Sequence, residues 1–312
     1  MASDHDGPLS SEPPPLPPQG SLPPPLPREP VWPVFLVVFL SLIAQVMGLG
    51  LIGLVALLRY PEAFESADAL RVVLAQATHQ PRAILIGATG VMLGFGVLAF
   101  GAAGLSRHPI RETLRLERPQ GGPGVVVLAL VGIMSLQTVF IAADELGWLP
   151  KSNVLQEMGS KLGSLSGPEK LWAILVIGIA PGIFEELLFR GYIQTGLRRR
   201  WGPWIGSFVA AVLFGVCHLD LTQGLFAGIM GWYLGLLTER TNSLLPAMLC
   251  HATNNTVATV MALGTEQTIP GRPDLVFLFA SLIVLLTAYR IVGPMMVPHK
   301  QDDASSDSEP LL

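Results

Sequence analysis

A small set of polar and aromatic side chains lies inside apolar stretches in the second half of the chain. Ionisable groups in such stretches cost free energy and usually mark a function or a structural ion pair. Two imidazoles and a carboxylate converging from separate helices can bind a metal ion with an open water position, or can hold a water molecule directly. Amide and imidazole N–H groups can donate to the oxyanion of a tetrahedral intermediate. Together such groups predict water attacking a peptide carbonyl. The set is Glu185, Glu186, Arg190, Phe214, His218, His251 and Asn255.

The spacing of these residues predicts which of them share a helix face. Glu186 and Arg190 are four residues apart and can pair along one face. Glu185 points about 100° away from Glu186 on a helix, so one carboxylate can face a cavity while Arg190 holds the other. Two further pairs share the four-residue spacing, namely Phe214 with His218 and His251 with Asn255.

The elements that must position these side chains are apolar segments of membrane-spanning length. Of the 312 residues, 50% are hydrophobic and 13% are charged, whereas soluble domains carry about 25% charged residues. Eight segments approach the roughly 20 apolar residues that a membrane helix needs. We therefore predict an all-α fold, a polytopic membrane bundle of about eight transmembrane helices. The segments are 33–58, 83–106, 123–146, 170–191, 203–218, 222–238, 244–264 and 274–293.

The remaining segments complete a four-part organisation. Residues 1–32 are proline-rich, which predicts a disordered tail with PxxP spacing that could bind a partner. Residues 33–167 hold the first three spans and, at 153–165, a short amphipathic stretch that predicts an interfacial helix. Residues 168–293 hold the polar set, and residues 294–312 predict a second disordered tail. The distribution of basic residues predicts that both termini are cytoplasmic.

Charge and cysteine content exclude some classes of function. The net charge of −4 gives no basic excess to suggest nucleic acid. The two cysteines, Cys217 and Cys250, lie in apolar segments, so no disulfide framework is expected. Each directly precedes a histidine of the polar set, and a mixed Cys/His zinc site is therefore conceivable. Because neighbours on a helix diverge by about 100°, small buried packing residues are the favoured interpretation.

The motifs as an ordered group resemble those of a known family. Glu185-Glu186-x-x-x-Arg190, Phe214-x-x-x-His218 and His251-x-x-x-Asn255 occur in that order on successive apolar segments. They resemble the CPBP family of intramembrane proteases, which includes the Ras-converting CAAX prenyl endopeptidases and Abi-like membrane proteins of bacteriocin processing and self-immunity. The resemblance covers roughly residues 168–292.

The resemblance implies a membrane-embedded endopeptidase and assigns roles to its residues. Glu185 corresponds to the base that activates water, and Glu186 corresponds to its neighbour, paired with Arg190. His218 and His251 correspond to the residues that hold the water or a metal ion. The expected surroundings are membrane lipids, and the expected substrate is a peptide or a prenylated protein.

The remaining positions of the motifs follow from the same resemblance. Asn255 corresponds to the oxyanion donor, and Phe214 to a packing residue beside His218. The family is described both as metalloproteases and as glutamate-dependent enzymes without a metal. If a divalent metal such as zinc is present, Glu185, His218 and His251 are its expected ligands.

Two other classes of function are compatible with the polar set. A non-catalytic immunity or scaffold protein could keep the same fold and use it for binding. A proton-coupled transporter could use intramembrane carboxylates as a relay. The transporter is disfavoured because no inverted repeat relates the two halves and the polar groups cluster in the second half.

Overall fold

The computed structural model describes residues 30–264 and 272–296, and within these ranges every regular element is helical. The prediction of an all-α polytopic membrane bundle is confirmed. Residues 1–29 and 297–312, which make up most of the two predicted tails, lie outside the described residues. The predicted tail partner and the cytoplasmic location of both termini therefore stay predictions.

Twelve α-helices are labelled here in chain order. The first half contains α1 (Trp32–Arg59), α2 (Ala67–His79), α3 (Pro81–Gly104), α4 (Ile110–Thr113), α5 (Gly122–Glu145) and α6 (Asn153–Gly163), with a 3-10 turn at Pro61–Phe64. The second half contains α7 (Pro168–Ala173), α8 (Ala180–Glu186), α9 (Gln194–Val216), α10 (Leu221–Thr241), α11 (Leu245–Ala262) and α12 (Pro273–Met296). Two π-helical segments, Ile174–Ile179 and Leu187–Ile193, join α7 to α8 and α8 to α9.

Five helical runs in the described part of the chain are long and apolar enough to cross a membrane. Four of them are α1, α3, α5 and α12, which correspond to predicted spans. The fifth is the 49-residue run Pro168–Val216, which contains two predicted spans. The two remaining predicted spans, 222–238 and 244–264, correspond to α10 and α11, which are 21 and 18 residues long and are less apolar.

The run Pro168–Val216 reverses direction at Gly202, whose backbone is non-helical with φ 81° and ψ 172°. Glycine tolerates this conformation, and the following Pro203 suits the first turn of the next helical arm. A Cβ at Gly206 would lie 2.7 Å from the backbone nitrogen of Arg198, so the two arms touch just after the turn. The first arm continues past the predicted span 170–191 to this turn, because the π-helical segment Leu187–Ile193 leads directly into α9.

Of the two helices α2 and α6, which lie outside the long spans, the sequence predicted only α6. The helix predicted at 153–165 is confirmed as α6, which begins where the Ser152 side chain accepts from the backbone nitrogen of Leu155 at 3.0 Å. Its placement at a membrane surface stays a prediction. Helix α2 was not predicted, although Ser66 caps it by accepting from the backbone nitrogen of Ala69 at 3.0 Å.

Pairs of neighbouring helices form the bundle, with α1 against α3, α5 against α12, and α9 against α10. Small residues allow these pairs to approach closely, which is the usual basis of helix association in membranes. A Cβ at Gly48 of α1 would lie 2.8 Å from the carbonyl oxygen of Gly87 in α3. Helix α11 packs against α8, the preceding π-helical segment and α5, and this position brings its polar residues into the centre of the bundle.

Candidate active site

Two glycines let α11 approach the helical run that carries the paired glutamates. A Cβ at Gly182 would lie 2.4 Å from the backbone nitrogen of Ala252, and a Cβ at Gly178 would lie 3.0 Å from the Cα of Thr256. Gly178 and Gly182 are one helical turn apart, and so are Ala252 and Thr256. Both contacts therefore join the same face of one helix to the same face of the other. Glu186 is the next residue on the glycine face, so this close approach brings its carboxylate to α11.

The approach creates a hydrogen-bonded chain that begins on α8 and runs along α11. Nδ1 of His251 donates to Oε1 of Glu186 at 2.8 Å. Nδ2 of Asn255 donates to Nε2 of the same imidazole at 3.2 Å, and Nδ2 of Asn254 donates to Oδ1 of Asn255 at 3.1 Å. This network assigns the neutral imidazole of His251 as the Nδ1–H tautomer, with its Nε2 lone pair directed towards Asn255.

Glu186 is also held by a cation on its own helical run. Nη1 of Arg190 lies 2.7 Å from Oε1 of Glu186, and neither side chain is more than 1% exposed. The guanidinium carbon of Arg190 lies 4.1 Å from the centroid of the Phe214 ring, which is a cation–π arrangement. Space for this guanidinium depends on α10, because a Cβ at Gly231 would lie 2.6 Å from its Nη2.

Glu185 occupies a different environment from its neighbour. Its side chain is 13% exposed, and its Oε2 lies 3.9 Å from Nε2 of His251. Arg190 pairs with Glu186 rather than with Glu185. The two adjacent carboxylates therefore divide as their 100° separation predicts. Glu186 is buried and charge-paired, while Glu185 is partly exposed and faces Nε2 of His251.

His218 lies beyond the end of α9 and reaches the site through an aromatic ring. Its Nδ1 donates to the carbonyl oxygen of Phe214 at 2.9 Å, which leaves Nε2 as the acceptor in the neutral imidazole. Its ring stands edge-on to Phe214, with centroids 4.8 Å apart, and the His251 ring stands edge-on to the same phenyl group at 6.0 Å. Phe214 therefore separates and orients both imidazoles, in addition to the packing role expected for it.

The predicted metal ligands can be tested against this arrangement. Among residues 30–264 and 272–296, no group of three His, Cys, Asp or Glu side chains is arranged to hold a metal ion. Both ring nitrogens of His251 already have hydrogen-bond partners, in Glu186 and Asn255. As placed here, Glu185, His218 and His251 do not fit a metal ion. Zinc binding stays a prediction for metal analysis of the purified protein.

Several residues that build the site were not anticipated. Gly178 and Gly182 form a G-x-x-x-G pattern one helical turn before Glu186, and this spacing was the available signal. Gln194 and Glu239 continue the polar interactions away from the site, through a hydrogen bond of 2.9 Å. No local pattern identifies that pair, since 45 residues separate its members in the sequence. The two cysteines are free and buried, as expected of packing residues.

The fold and the site define a polytopic membrane protein with a buried acid–imidazole–amide centre. Residues 167–257, which contain all three motifs, match the family described as type II CAAX prenyl endopeptidase Rce1-like. The resemblance predicted from the motifs is thus confirmed for this segment. The first three predicted spans and both tails lie outside the match.

A curated protein supports the same similarity. It is the "Putative membrane peptidase YdiL" of Bacillus subtilis (strain 168), and it is 30% identical over 90 residues. The matched segment covers 29% of this chain and 37% of that relative. No solved structure matches the chain.

Proposed function

We propose that the chain is a membrane-embedded endopeptidase in which Glu185 activates a water molecule. The observation that carries this proposal is the division between the two adjacent carboxylates. Glu186 is buried and bound by both Arg190 and His251, whereas Glu185 has no arginine partner in the described structure and faces Nε2 of His251. Pairs of acidic groups in contrasting environments are typical of catalytic sites in which one group takes part in the reaction and the other holds the neighbouring residues in place.

The geometry supports a simple division of roles in the attack on the peptide bond. A water molecule that donates to Oε2 of Glu185 at about 2.8 Å would lie beside the His251 ring, whose Nε2 is 3.9 Å from that oxygen. Glu185 removes one proton as the water oxygen attacks the carbonyl carbon. The same carboxylic acid then returns that proton to the leaving amine nitrogen, so that the peptide bond is hydrolysed without net proton transfer.

The neighbouring residues complete this mechanism. Asn255 uses one N–H of its amide on His251, and the second is available to donate to the oxyanion. His218 keeps an acceptor nitrogen, because its Nδ1 is occupied by the Phe214 carbonyl. That acceptor can orient the second hydrogen of the water or receive a hydrogen bond from the substrate amide. Arg190 compensates the negative charge of Glu186 and holds it in place.

The substrate that follows from the similarity is a membrane-associated peptide, with a prenylated C-terminal peptide as the first compound to test. The family matched by residues 167–257 is described as prenyl endopeptidases, and the site here is built from helices of a membrane bundle. An apolar lipid anchor would hold such a peptide beside these helices. A non-prenylated peptide of the same sequence separates the contribution of the anchor from that of the peptide.

The test is cleavage of both peptides by purified protein in liposomes. We expect hydrolysis by the native chain and loss of at least about 100-fold in Glu185→Gln, the scale on which general acid–base catalysis contributes. Glu62→Gln, which alters an exposed glutamate in the 3-10 turn, is the matched control. Metal analysis and a chelator accompany the assay. Full activity in Glu185→Gln would overturn the proposal, and peptide binding or ion flux without hydrolysis would favour the scaffold or the transporter instead.

A further inference from the structure

A second buried ionic cluster lies at the C-terminal end of α10, and its centre is the carboxylate of Glu239. The Glu239 side chain is 3% exposed. Its oxygens lie 3.0 Å from Nη2 of Arg115 and 2.9 Å from Nε of Arg198. Nε2 of Gln194 donates to the same carboxylate at 2.9 Å. One buried anion thus binds donors from the segment before α5 and from α9.

The cluster is connected to the candidate site along one face of the helical run Pro168–Val216. Glu186, Arg190, Gln194 and Arg198 follow one another at four-residue spacing, so they form a nearly continuous row. Two glycines of α10 leave space for the middle of this row. A Cβ at Gly231 would lie 2.6 Å from Nη2 of Arg190, and one at Gly235 would lie 2.8 Å from Oε1 of Gln194. Glu239 continues the same face of α10, one turn beyond Gly235.

The cluster is also connected to the start of α11. The carbonyl oxygen of Arg115 accepts from the backbone nitrogen of Leu244 at 2.9 Å. The hydroxyl of Ser243 donates to the carbonyl oxygen of Glu117 at 2.6 Å. Helix α11 begins at Leu245, and His251 follows within two helical turns. The segment that carries Arg115 therefore determines the position at which α11 enters the bundle.

Arg115 itself is held in an unusual conformation. Its φ of 49° lies in the left-handed region, which is unfavourable for a residue with a side chain. The residue is 4% exposed, and burial lowers the pKa of its guanidinium, partly offset by the charge of Glu239. Strained backbone of this kind persists only where its surroundings over-determine it. The ion pair with Glu239 supplies that constraint.

We infer that Glu239 is a positioning residue for the candidate site, an inference that rests on the proposed endopeptidase function. Through Gln194 and Arg198 it sets the position of the helix that carries Glu186. Through Arg115 it sets the entry of α11, which carries His251. The hydrogen bond between Glu186 and His251 joins these two helices, about two to three helical turns from the cluster.

Two variants test the inference in liposomes. Glu239→Gln removes the central charge. Gln194→Met removes the hydrogen bonds of Gln194 to Glu239, Ser207 and Gly235 and leaves both arginines paired with Glu239. We expect kcat per folded molecule to fall about 10- to 100-fold in each, as a misplacement of about 1 Å at a reacting centre does. KM should change less than about twofold, because substrate binding surfaces are untouched. Glu239→Asp should recover part of the lost kcat.

Glu112→Gln provides the matched control. Glu112 binds Arg199, the neighbour of Arg198, at 3.1 Å, but its side chain is 59% exposed. We expect this variant to keep native kcat. Unchanged kcat per folded molecule in Gln194→Met and Glu239→Gln would overturn the inference, as would an equal loss in Glu112→Gln. Failure of the proposed function is distinguished by Glu185→Gln, which would then remain active whatever the Glu239 variants do.

Discussion

Oε1 of Glu186 accepts hydrogen bonds from Nδ1 of His251 at 2.8 Å and from Nη1 of Arg190 at 2.7 Å. One carboxylate oxygen thus joins an imidazole on α11 to a guanidinium one turn along its own helical run. Both partners are fully buried, so the three groups form a unit from which no member can be removed alone without cost. Glu185 stands outside this unit, and the difference between the neighbours has consequences that can be measured.

Stability should separate the two glutamates. Glu186→Gln leaves the buried Arg190 without its anion, and removing one member of a buried ion pair typically costs about 3–5 kcal/mol. We expect a clearly lowered thermal unfolding temperature in detergent. Glu185→Gln should unfold close to the native protein, because Glu185 has no ion pair with Arg190. Equal unfolding temperatures for both variants would show that Glu186 does not have this anchoring role.

The close approach of α8 to α11 should be sensitive to a single methyl group. In Gly182→Ala the new Cβ would lie 2.4 Å from the backbone nitrogen of Ala252, which cannot move without shifting α11. We expect destabilisation of about 1–3 kcal/mol, typical of overpacking, together with loss of peptide cleavage. Thermal unfolding and the liposome assay measure the two effects.

Gly101→Ala is the control for that substitution. Gly101 also lies within a helix, but a Cβ there would meet no atom within 4 Å. Alanine is the better helix former, so the control should be at least as stable as the native protein. If Gly182→Ala behaved like this control, α8 and α11 would not be in the contact described.

The space that α10 leaves for the Arg190 guanidinium should also be sensitive to a single added methyl group. In Gly231→Ala the new Cβ would lie 2.6 Å from Nη2 of Arg190 and 3.0 Å from the Phe214 ring. The guanidinium cannot retreat without breaking its bond to Glu186, so we expect lower kcat and lower stability. Gly228→Ala, three residues earlier, makes only contacts of 3.7 Å or more and should be tolerated. Comparison of kcat and unfolding temperature for the two variants checks this.

Acidification should weaken the joint between α6 and α10. The backbone nitrogen of Gln223 donates to Asp220, as does the hydroxyl of Ser152, and these bonds lower the pKa of the Asp220 carboxyl. The stabilisation is therefore fully present above the unfolded-state value of about 3.9 and is lost as pH falls through the lower folded value. Asp220→Asn should be less stable than the native protein at pH 7, and this difference should shrink as the pH falls below the unfolded-state value of about 3.9.

Unfolding temperatures measured from pH 7 to pH 3 test that dependence. Asp68→Asn, at a highly exposed position in α2, controls for the removal of one aspartate charge. A stability difference for Asp220→Asn that stayed constant down to pH 3 would contradict the assigned role of its charge.

The sequence allowed most of the fold to be predicted, because apolar length and helical spacing are local properties. The spans that became α1, α3, α5 and α12, and the short helix α6, were recognisable from composition and periodicity. The break at Gly202 falls between the predicted spans 170–191 and 203–218, but the π-helical segments of this run were not predicted, since π-helical backbone has no simple sequence signature. Helix α2 was missed because its mixed composition resembles a polar loop, although Ser66 offered a capping signal.

The site likewise has contacts that the sequence predicts and contacts that only the tertiary structure shows. Pairing of Glu186 with Arg190, and of Asn255 with His251, follows from four-residue spacing and is determined by the sequence alone. The bond between Glu186 and His251 joins residues 65 positions apart, and only the tertiary structure decided which glutamate would make it. The physical reason is the close packing at Gly182, which selects the helix face that meets α11. The dependence of both helices on Glu239 is likewise a property of the assembled bundle, since its partners come from distant segments.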